Sequence, residues 1–423
     1  MEPAAEGPSA DDCLAIIGNP YMSDIIHHAA EDAIKREQFM DFKIPGNMSV
    51  RETEKLTTEI CRLFSSSYPM IGSDEIEYWV YPTRTVIRLV TDIAAMSDTH
   101  SPINTLMETA RGKVFINDSI CDAAYTTCQK MGFSIKKERR SGLALSEGEP
   151  DGDGERLLWN LAALYDDILE YAAEPLTVSL LDEIYLRASD RMSNQTPLDE
   201  LPRQLDGAPR SVRLQQILDV YGSSWSGISP LVDIIPIRWS LQFSEAYAAF
   251  SSLISDFYYR QICVRIGYPV LRFLPFAISW IPDRQGLIPR ASDTGNQIEL
   301  PYGNMTPLIT DSLRETYAEL LHKDAECTEV NRHDDELITI LQSHRELNHR
   351  QRSIVGRALK SPNSTFCISH HRKVHGIAYS TARADLFGLA DIGFLEAELE
   401  GKKYVFRPVP NLEEVVQGAI SEI

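Results

Sequence analysis

The segment from Pro230 to Trp280 sets the strongest limit on what this chain can fold into. It reads PLVDIIPIRWSLQFSEAYAAFSSLISDFYYRQICVRIGYPVLRFLPFAISW. An apolar helical pattern leads in, an aromatic-rich helical pattern follows, and Gly267-Tyr268 precedes a second apolar run. Taken alone, Tyr247, Phe250, Ile254, Phe257 and Tyr258 recur at i, i+3, i+7, i+10 and i+11. With Ser244 as N-cap they predict one continuous amphipathic helix packed into a core. The fold is therefore expected to be mainly α.

At 423 residues the chain is long enough for two or three domains with their own cores. Its 43% hydrophobic and 24% charged residues fit an ordinary soluble globular protein. A formal net charge of −20 disfavours non-specific binding of the whole molecule to nucleic acid or anionic membrane, yet leaves room for a local basic patch. Cys13, Cys61, Cys121, Cys128, Cys263, Cys327 and Cys367 are scattered and form no C-x-x-C pair. That usage predicts reduced thiols in a cytoplasmic protein. The opening MEPAAEGPSADD lacks the basic and apolar regions of a signal peptide. Arg272 and two prolines break the most apolar window, Ile266 to Ile281. No segment reaches the roughly 20 apolar residues needed to span a bilayer, so no membrane contact is expected.

Residues 1–12 read as a disordered tail. A helical N-terminal domain is expected over 13–145, with helices at Asp24 to Phe39, Ser49 to Phe64 and Asp118 to Met131. Ser49 and Glu52 fit a capping box. Ser146 to Glu155, SEGEPDGDGE, has linker composition. A core block over 155–335 opens on Leu157, Leu158, Leu161, Leu164, Tyr165, Ile168 and Leu169 at helical spacing, and Pro175-Leu176-Thr177 separates two helices. Residues 193–212 read as a loop, 346–410 as a third block of different character, and 411–423 as a C-terminal helix. His27 and His28 stand four residues before Glu31 and Asp32, which reads as a solvated helix face, and no metal site is expected.

The Pro230–Trp280 frame also resembles the core of the Fic family, whose active members transfer AMP from ATP to a protein hydroxyl. The family signature runs His-x-Phe-x-Asp/Glu-Gly-Asn-Gly-Arg-x-x-Arg. Its window falls on Glu245 to Asp256, where this chain reads EAYAAFSSLISD. In the family a His acts as general base on the target hydroxyl. The Gly-Asn-Gly turn brings backbone N–H groups to phosphate, an acid holds Mg²⁺, and arginines pair with phosphate oxygens. Residue by residue, Glu245 stands for the His, Tyr247 for the Phe and Ala249 for the metal-binding acid. Phe250, Ser251 and Ser252 stand for Gly-Asn-Gly, and Leu253 and Asp256 for the two arginines. Only Tyr247 keeps its character. Loss of the metal ligand and both cations removes the electrostatic term that dominates phosphoryl-type transfer. Asp256 would repel a nucleotide, and Phe250 disfavours a glycine-like turn. The resemblance thus implies a degenerate slot with no catalytic residue and no cofactor. ATP and Mg²⁺ enter only if Glu245 serves as base in a rewired site.

Asp122-Ala-Ala-Tyr-Thr126-Thr127-Cys-Gln-Lys130-Met131 resembles the inhibitory helix that some Fic proteins carry N-terminal to the core. The family's blocking Glu is Lys130 here, and its arginine partner is Asp256. A charge-reversed Lys130–Asp256 clasp is one expectation; two unrelated surface charges is the other. Arg140-Ser-Gly-Leu-Ala144, and Glu174-Pro-Leu-Thr177 with Leu180, Leu181 and Tyr185, also resemble family segments. The likeness spans about Cys121 to Pro282.

Between Ser343 and Arg383 eight Lys/Arg stand against one acid, Glu346. Helices are expected from Leu347, over Ile368 to Val374, and over Thr381 to Leu395 with Gly393 closing the last. Ser380 caps it, and Ala382, Leu386, Leu389 and Ile392 share its buried face. Ala397 to Leu399 and Tyr404 to Phe406 read as strands around Glu400-Gly401-Lys402. This resembles the winged helix appended to many Fic proteins. In DNA-reading winged helices the third helix enters the major groove and the wing touches backbone. Arg372, Lys373, His375, Ser380, Thr381, Arg383, Lys402 and Lys403 are placed to meet phosphates or base edges, with Thr381 and Arg383 best placed for bases. Asp385 and Asp391 on the same helix weigh toward protein docking. The expectation is a Fic-like regulator or scaffold that binds double-stranded DNA through this winged helix. Two others stand beside it: an active protein adenylyltransferase with a non-standard site, and a pseudoenzyme that binds protein partners as a homodimer without touching DNA.

Overall fold

The structure is a computed structural model that describes residues 18–418, except 47, 72–76, 99, 108–109, 137–138, 140–148, 194, 202–208, 222–223, 245, 275–300, 344–346, 361–363 and 401–402. The expected tail over 1–12 lies outside these residues, as do some side chains within helices, Lys130 among them. The fold is mainly α, as expected. The chain divides into two compact units, Met1–Ser101 with Asn117–Leu321, and Pro102–Ile116 with His322–Ile423.

In the first unit, helix α1 (Pro20–Glu31) is capped by the Asn19 side chain, which accepts from the N–H groups of Tyr21 and Met22. The helix expected over Asp24 to Phe39 breaks at Asp32, whose carboxylate accepts from the Ala33 N–H at 2.8 Å. That local bond offers the backbone an alternative to helix, and a short 3-10 turn, Arg36–Asp41, follows. Helix α2 (Val50–Arg62) starts on the expected Ser49–Glu52 capping box. The helical expectation then fails. Strands β1 (Ser66–Ile71) and β2 (Glu77–Val80) pair antiparallel. Tyr68 meets Trp225 edge-on at 5.2 Å and Tyr78 meets Trp239 at 5.6 Å. Aromatic packing against distant residues therefore decides this segment. Helix α3 (Arg84–Met96) follows; α4 (Pro102–Met107) belongs to the second unit, and α5 (Ala110–Lys130) contributes to both.

The core of the first unit is built from α6 (Asp153–Asp166), α7 (Ile168–Tyr171), α8 (Val178–Ala188), α9 (Arg210–Asp219), α10 (Pro230–Phe243) and α11 (Ser251–Arg265). Thr177 caps α8. Leu157, Leu158, Leu161, Leu164, Tyr165 and Ile168 are buried as patterned, whereas Leu169 is exposed. Helix α11 packs against α7, α8 and α10, and residues 253–263 are all buried. A helix enclosed on every side needs no polar face, which explains its aromatic composition. Burial of a side chain such as Phe257 stabilises by about 2–3 kcal/mol.

Helix α12 (Thr306–Ser343) contributes to both units. The second unit continues with α13 (His349–Lys360), β3 (Phe366–Cys367), α14 (Ile368–His375), α15 (Tyr379–Ile392), the hairpin β4 (Leu395–Glu400) and β5 (Lys403–Pro408), and α16 (Leu412–Gly418). The sheet is antiparallel in the order β3-β5-β4, with Leu399 opposite Tyr404 and Glu400 opposite Lys403. Ile354, Val355, Phe366, Ala382, Leu386, Leu389, Phe394 and Phe406 form its core. Gly376 (φ 61°) and Gly393 (φ 90°) take the left-handed conformation that ends α14 and α15. Two details differ from expectation. Ala378, not Ser380, is the N-cap of α15, and Ile392, the last residue of the helix, lies exposed.

Candidate functional site

Two places carry the sequence-derived site residues. The first is the slot between α10 and α11. Ser244 is the C-cap of α10, and α11 begins only at Ser251, after a 3-10 turn over Ala248–Phe250. The helix expected to start from a Ser244 N-cap therefore starts only at Ser251, and Ser244 closes the preceding helix instead. Side chains satisfy the backbone between the two helices: Ser244 Oγ donates to the Leu241 carbonyl, Ser244 Oγ accepts from the Ala246 N–H, and Ser251 Oγ accepts from the Tyr247 N–H. The left-handed residue is Ala248, at φ 49°, so the turn is made without glycine. Phe250 keeps negative φ.

Glu245 lies outside the described residues. Ala249 is exposed and Ser252 half-buried, while Tyr247, Phe250, Ser251, Leu253 and Asp256 are buried. The Tyr247 hydroxyl donates to Asp182 Oδ1 at 2.7 Å. Arg210 binds the same carboxylate at 2.5 and 3.1 Å and stacks over the Tyr247 ring at 4.9 Å. Burial, then the Asp182 hydrogen bond, push the Tyr247 phenol well above its ordinary pKa. Tyr185 covers Tyr247 and Phe250, with ring centroids at 5.3 and 5.5 Å. Side chains of the slot itself fill the space.

Asp256 is the centre of a buried ionic cluster. Its Oδ2 accepts from Arg260 Nε at 2.8 Å and from the Tyr165 hydroxyl at 2.9 Å, and Arg238 Nη2 lies 4.0 Å from Oδ1. Arg260 stacks over the Tyr165 ring at 4.4 Å and donates to the Arg272 carbonyl. Burial depresses the Arg238 pKa. Burial opposes the Arg260 charge too, but the Asp256 carboxylate outweighs it and holds that pKa up. The reading of Asp256 as a surface charge is thus corrected: it is 2% exposed and held by Arg260 and Tyr165. The Lys130 side chain lies outside the description. Thr127 does reach the cluster, with Oγ1 at 3.2 Å from the Tyr165 hydroxyl; Thr126 is half-buried. Sequence reasoning missed Tyr165, Arg238 and Arg260. The signal was present in Arg260, four residues after Asp256 on one helix, and in Arg238 inside an otherwise apolar run.

The second place is the exposed side of α14, α15 and the hairpin. Residues 346–410 carry ten Lys/Arg against six Asp/Glu, within a chain of net charge −20. Arg372, Lys373, Ser380, Arg383 and Lys403 are exposed, His375 and Thr381 are half-buried, and Lys402 lies outside the described residues. Asp385 does not join this surface. It is buried, and its carboxylate accepts from Asn348 Nδ2 at 2.9 Å and from Arg350 at 2.7 and 3.0 Å. His371 Nε2 lies 3.0 Å from the same group. Burial works against its ionisation, but the Arg350, His371 and Asn348 bonds prevail and bring its pKa down to about 2. The network ties α13, α14 and α15 together. Asp391 is exposed, and Glu396, Glu398 and Glu400 line one side of β4, where Arg407 binds Glu398 and Glu400.

Among the described residues no group of three or more His, Cys, Asp or Glu side chains is arranged to hold a metal ion, and no helix is long and apolar enough to cross a membrane. Glu31 and Asp32 instead bind Arg84 and Arg314. No protein-family model matches the chain, and comparison with curated proteins finds no match.

Proposed function

We propose that this chain is a catalytically silent relative of the Fic family that regulates by binding double-stranded DNA through a C-terminal winged helix. The exposed face of α14 and α15 carries the reading. It presents Arg372, Lys373, Ser380, Thr381 and Arg383, while the acid that would oppose DNA at its centre, Asp385, is turned inward and neutralised by Arg350. Phosphate contacts from such cations position a protein on a duplex, and the helix side chains reach base edges. Silence of the slot is supported by Tyr247, Phe250 and Leu253, which occupy it, and by Asp256, which spends its charge on Arg260.

A second reading, protein docking, has its own support. Val374, Tyr379 and Leu399 are more than half exposed, and three glutamates line β4. Polar-rimmed apolar surface of this kind suits a protein partner.

One experiment separates these readings. The full chain is incubated with labelled ATP and Mg²⁺, and in parallel with a duplex pool at low salt. We expect no AMP label on any protein and a retarded duplex band. Label transfer would overturn the silent slot; no retardation on any duplex would overturn the DNA reading and leave protein docking.

A further inference from the structure

Ser380, Arg383 and Phe387 form one stripe along α15, each three or four residues from the next. The Arg383 guanidinium carbon lies 4.9 Å from the centre of the Phe387 ring. Phe387 is itself held by two rings of β5, edge-on to Tyr404 at 5.0 Å and to Phe406 at 5.1 Å. Phe406 is fully buried, so the platform under Arg383 is anchored in the core of the unit. Among the described residues no carboxylate forms an ion pair with Arg383, and it is exposed. Arg350 and Arg407, by contrast, spend their donors on Asp385, Glu398 and Glu400.

A guanidinium held over an aromatic ring loses less freedom on binding, and its planar N–H fork stays available to a ligand. A planar fork of two parallel donors matches two adjacent acceptors. In the major groove guanine offers such a pair, N7 and O6, whereas adenine sets a donor, N6–H₂, beside its N7.

We infer that Arg383 reads a guanine in the major groove, and that Phe387 is the positioning residue that presents its donor fork. The inference rests on the duplex-binding reading above. Phosphate binding alone needs no stacked arginine, because a lysine serves as well as a point charge.

The test uses the full chain. Duplexes are selected from a random-sequence pool at about 150 mM salt. Affinities are then measured by anisotropy for the selected duplex and for its guanine-to-adenine variants, with the wild type, Arg383→Ala, Phe387→Leu and Phe387→Tyr. We expect a shared guanine whose replacement weakens wild-type binding roughly tenfold or more. Arg383→Ala should bind both duplexes alike, Phe387→Leu should discriminate less than the wild type, and Phe387→Tyr, which keeps the ring face, should discriminate as the wild type does. Circular dichroism and thermal melting check that each variant is folded; Arg383→Ala, at an exposed site, decides the matter if Phe387→Leu unfolds. Selected duplexes without a common guanine, or unchanged discrimination by Arg383→Ala, would overturn the inference while leaving duplex binding intact. Failure of the wild type to bind any duplex would remove the reading beneath it as well.

Discussion

Replacing Asp256 by Ala would leave Arg260 and Arg238 inside the first unit without the carboxylate they share. Asp256 and Arg238 are each 2% exposed and Arg260 is 0% exposed. Deleting one partner of a buried ion pair costs about 3–5 kcal/mol, because the survivor stays desolvated without compensation. Loss of the Tyr165 hydrogen bond adds about 1 kcal/mol. The sum, about 4–6 kcal/mol, is a large share of the roughly 5–15 kcal/mol that stabilises a native domain. At about 2–4 °C per kcal/mol for a domain of this order, melting should fall by about 10–20 °C. Calorimetry and urea unfolding of the full chain read this directly. A second variant, Asp256→Leu with Arg260→Met, removes the pair rather than breaking it. Apolar replacement of a buried pair is often near neutral, so this variant should recover most of the loss. If Asp256→Ala melts within about 2 °C of the wild type, the cluster is solvated and the slot is not closed by its own charges.

Three further outcomes are expected. Tyr247→Phe loses one hydrogen bond to Asp182, which Arg210 still holds, so stability should drop by about 1 kcal/mol in urea titration. Asp385→Ala removes the group that ties α13, α14 and α15, and should cost about 2 kcal/mol and weaken duplex binding in an anisotropy assay. The Asp385 pKa is depressed to about 2 from 3.8, so its contribution is complete above the unfolded value and is lost as pH falls between the two. Burial, and then His371, His349 and Arg350, lower the His375 pKa below its ordinary 6.5, with Asp385 opposing. The unfolded chain then binds the proton more readily. Stability of the second unit should fall as pH drops below about 6.5, and His375→Gln should flatten that slope in melting curves.

Much of this architecture could be read from the residues. The Ser49 capping box, the Thr177 cap, the leucines of α6 and the Gly393 stop are local devices, set by neighbours in sequence, and all appear in the structure. What the residues hid was non-local. The β1–β2 hairpin depends on Trp225 and Trp239, some 150 residues away, and no window of a few residues shows them. The start of α11 at Ser251 rather than after Ser244 was masked because Tyr247 and Phe250 fit its apolar period; hydroxyl bonds from Ser244 and Ser251 settle the matter. Asp256 and Asp385 looked like surface acids because an isolated carboxylate in a sequence carries no record of its partner. Each is buried by arginines, Arg260 and Arg350. The exposure of Arg372, Lys373 and Arg383 on α14 and α15 was easier to foresee, since exposed cations beside an apolar stripe follow from helical spacing alone.

The salt dependence of duplex binding by the full chain tests the proposed role most directly. Arg372, Lys373, Arg383 and Lys403 are the exposed cations of the proposed interface. If Arg372, Lys373 and Lys403 neutralise phosphates while Arg383 contacts a base, log K against log salt should fall with a slope of about −3. Replacing Arg372 and Lys373 by Ala should make that slope shallower by about 2. No duplex binding at low salt, or binding whose strength is the same at low and high salt, would contradict it.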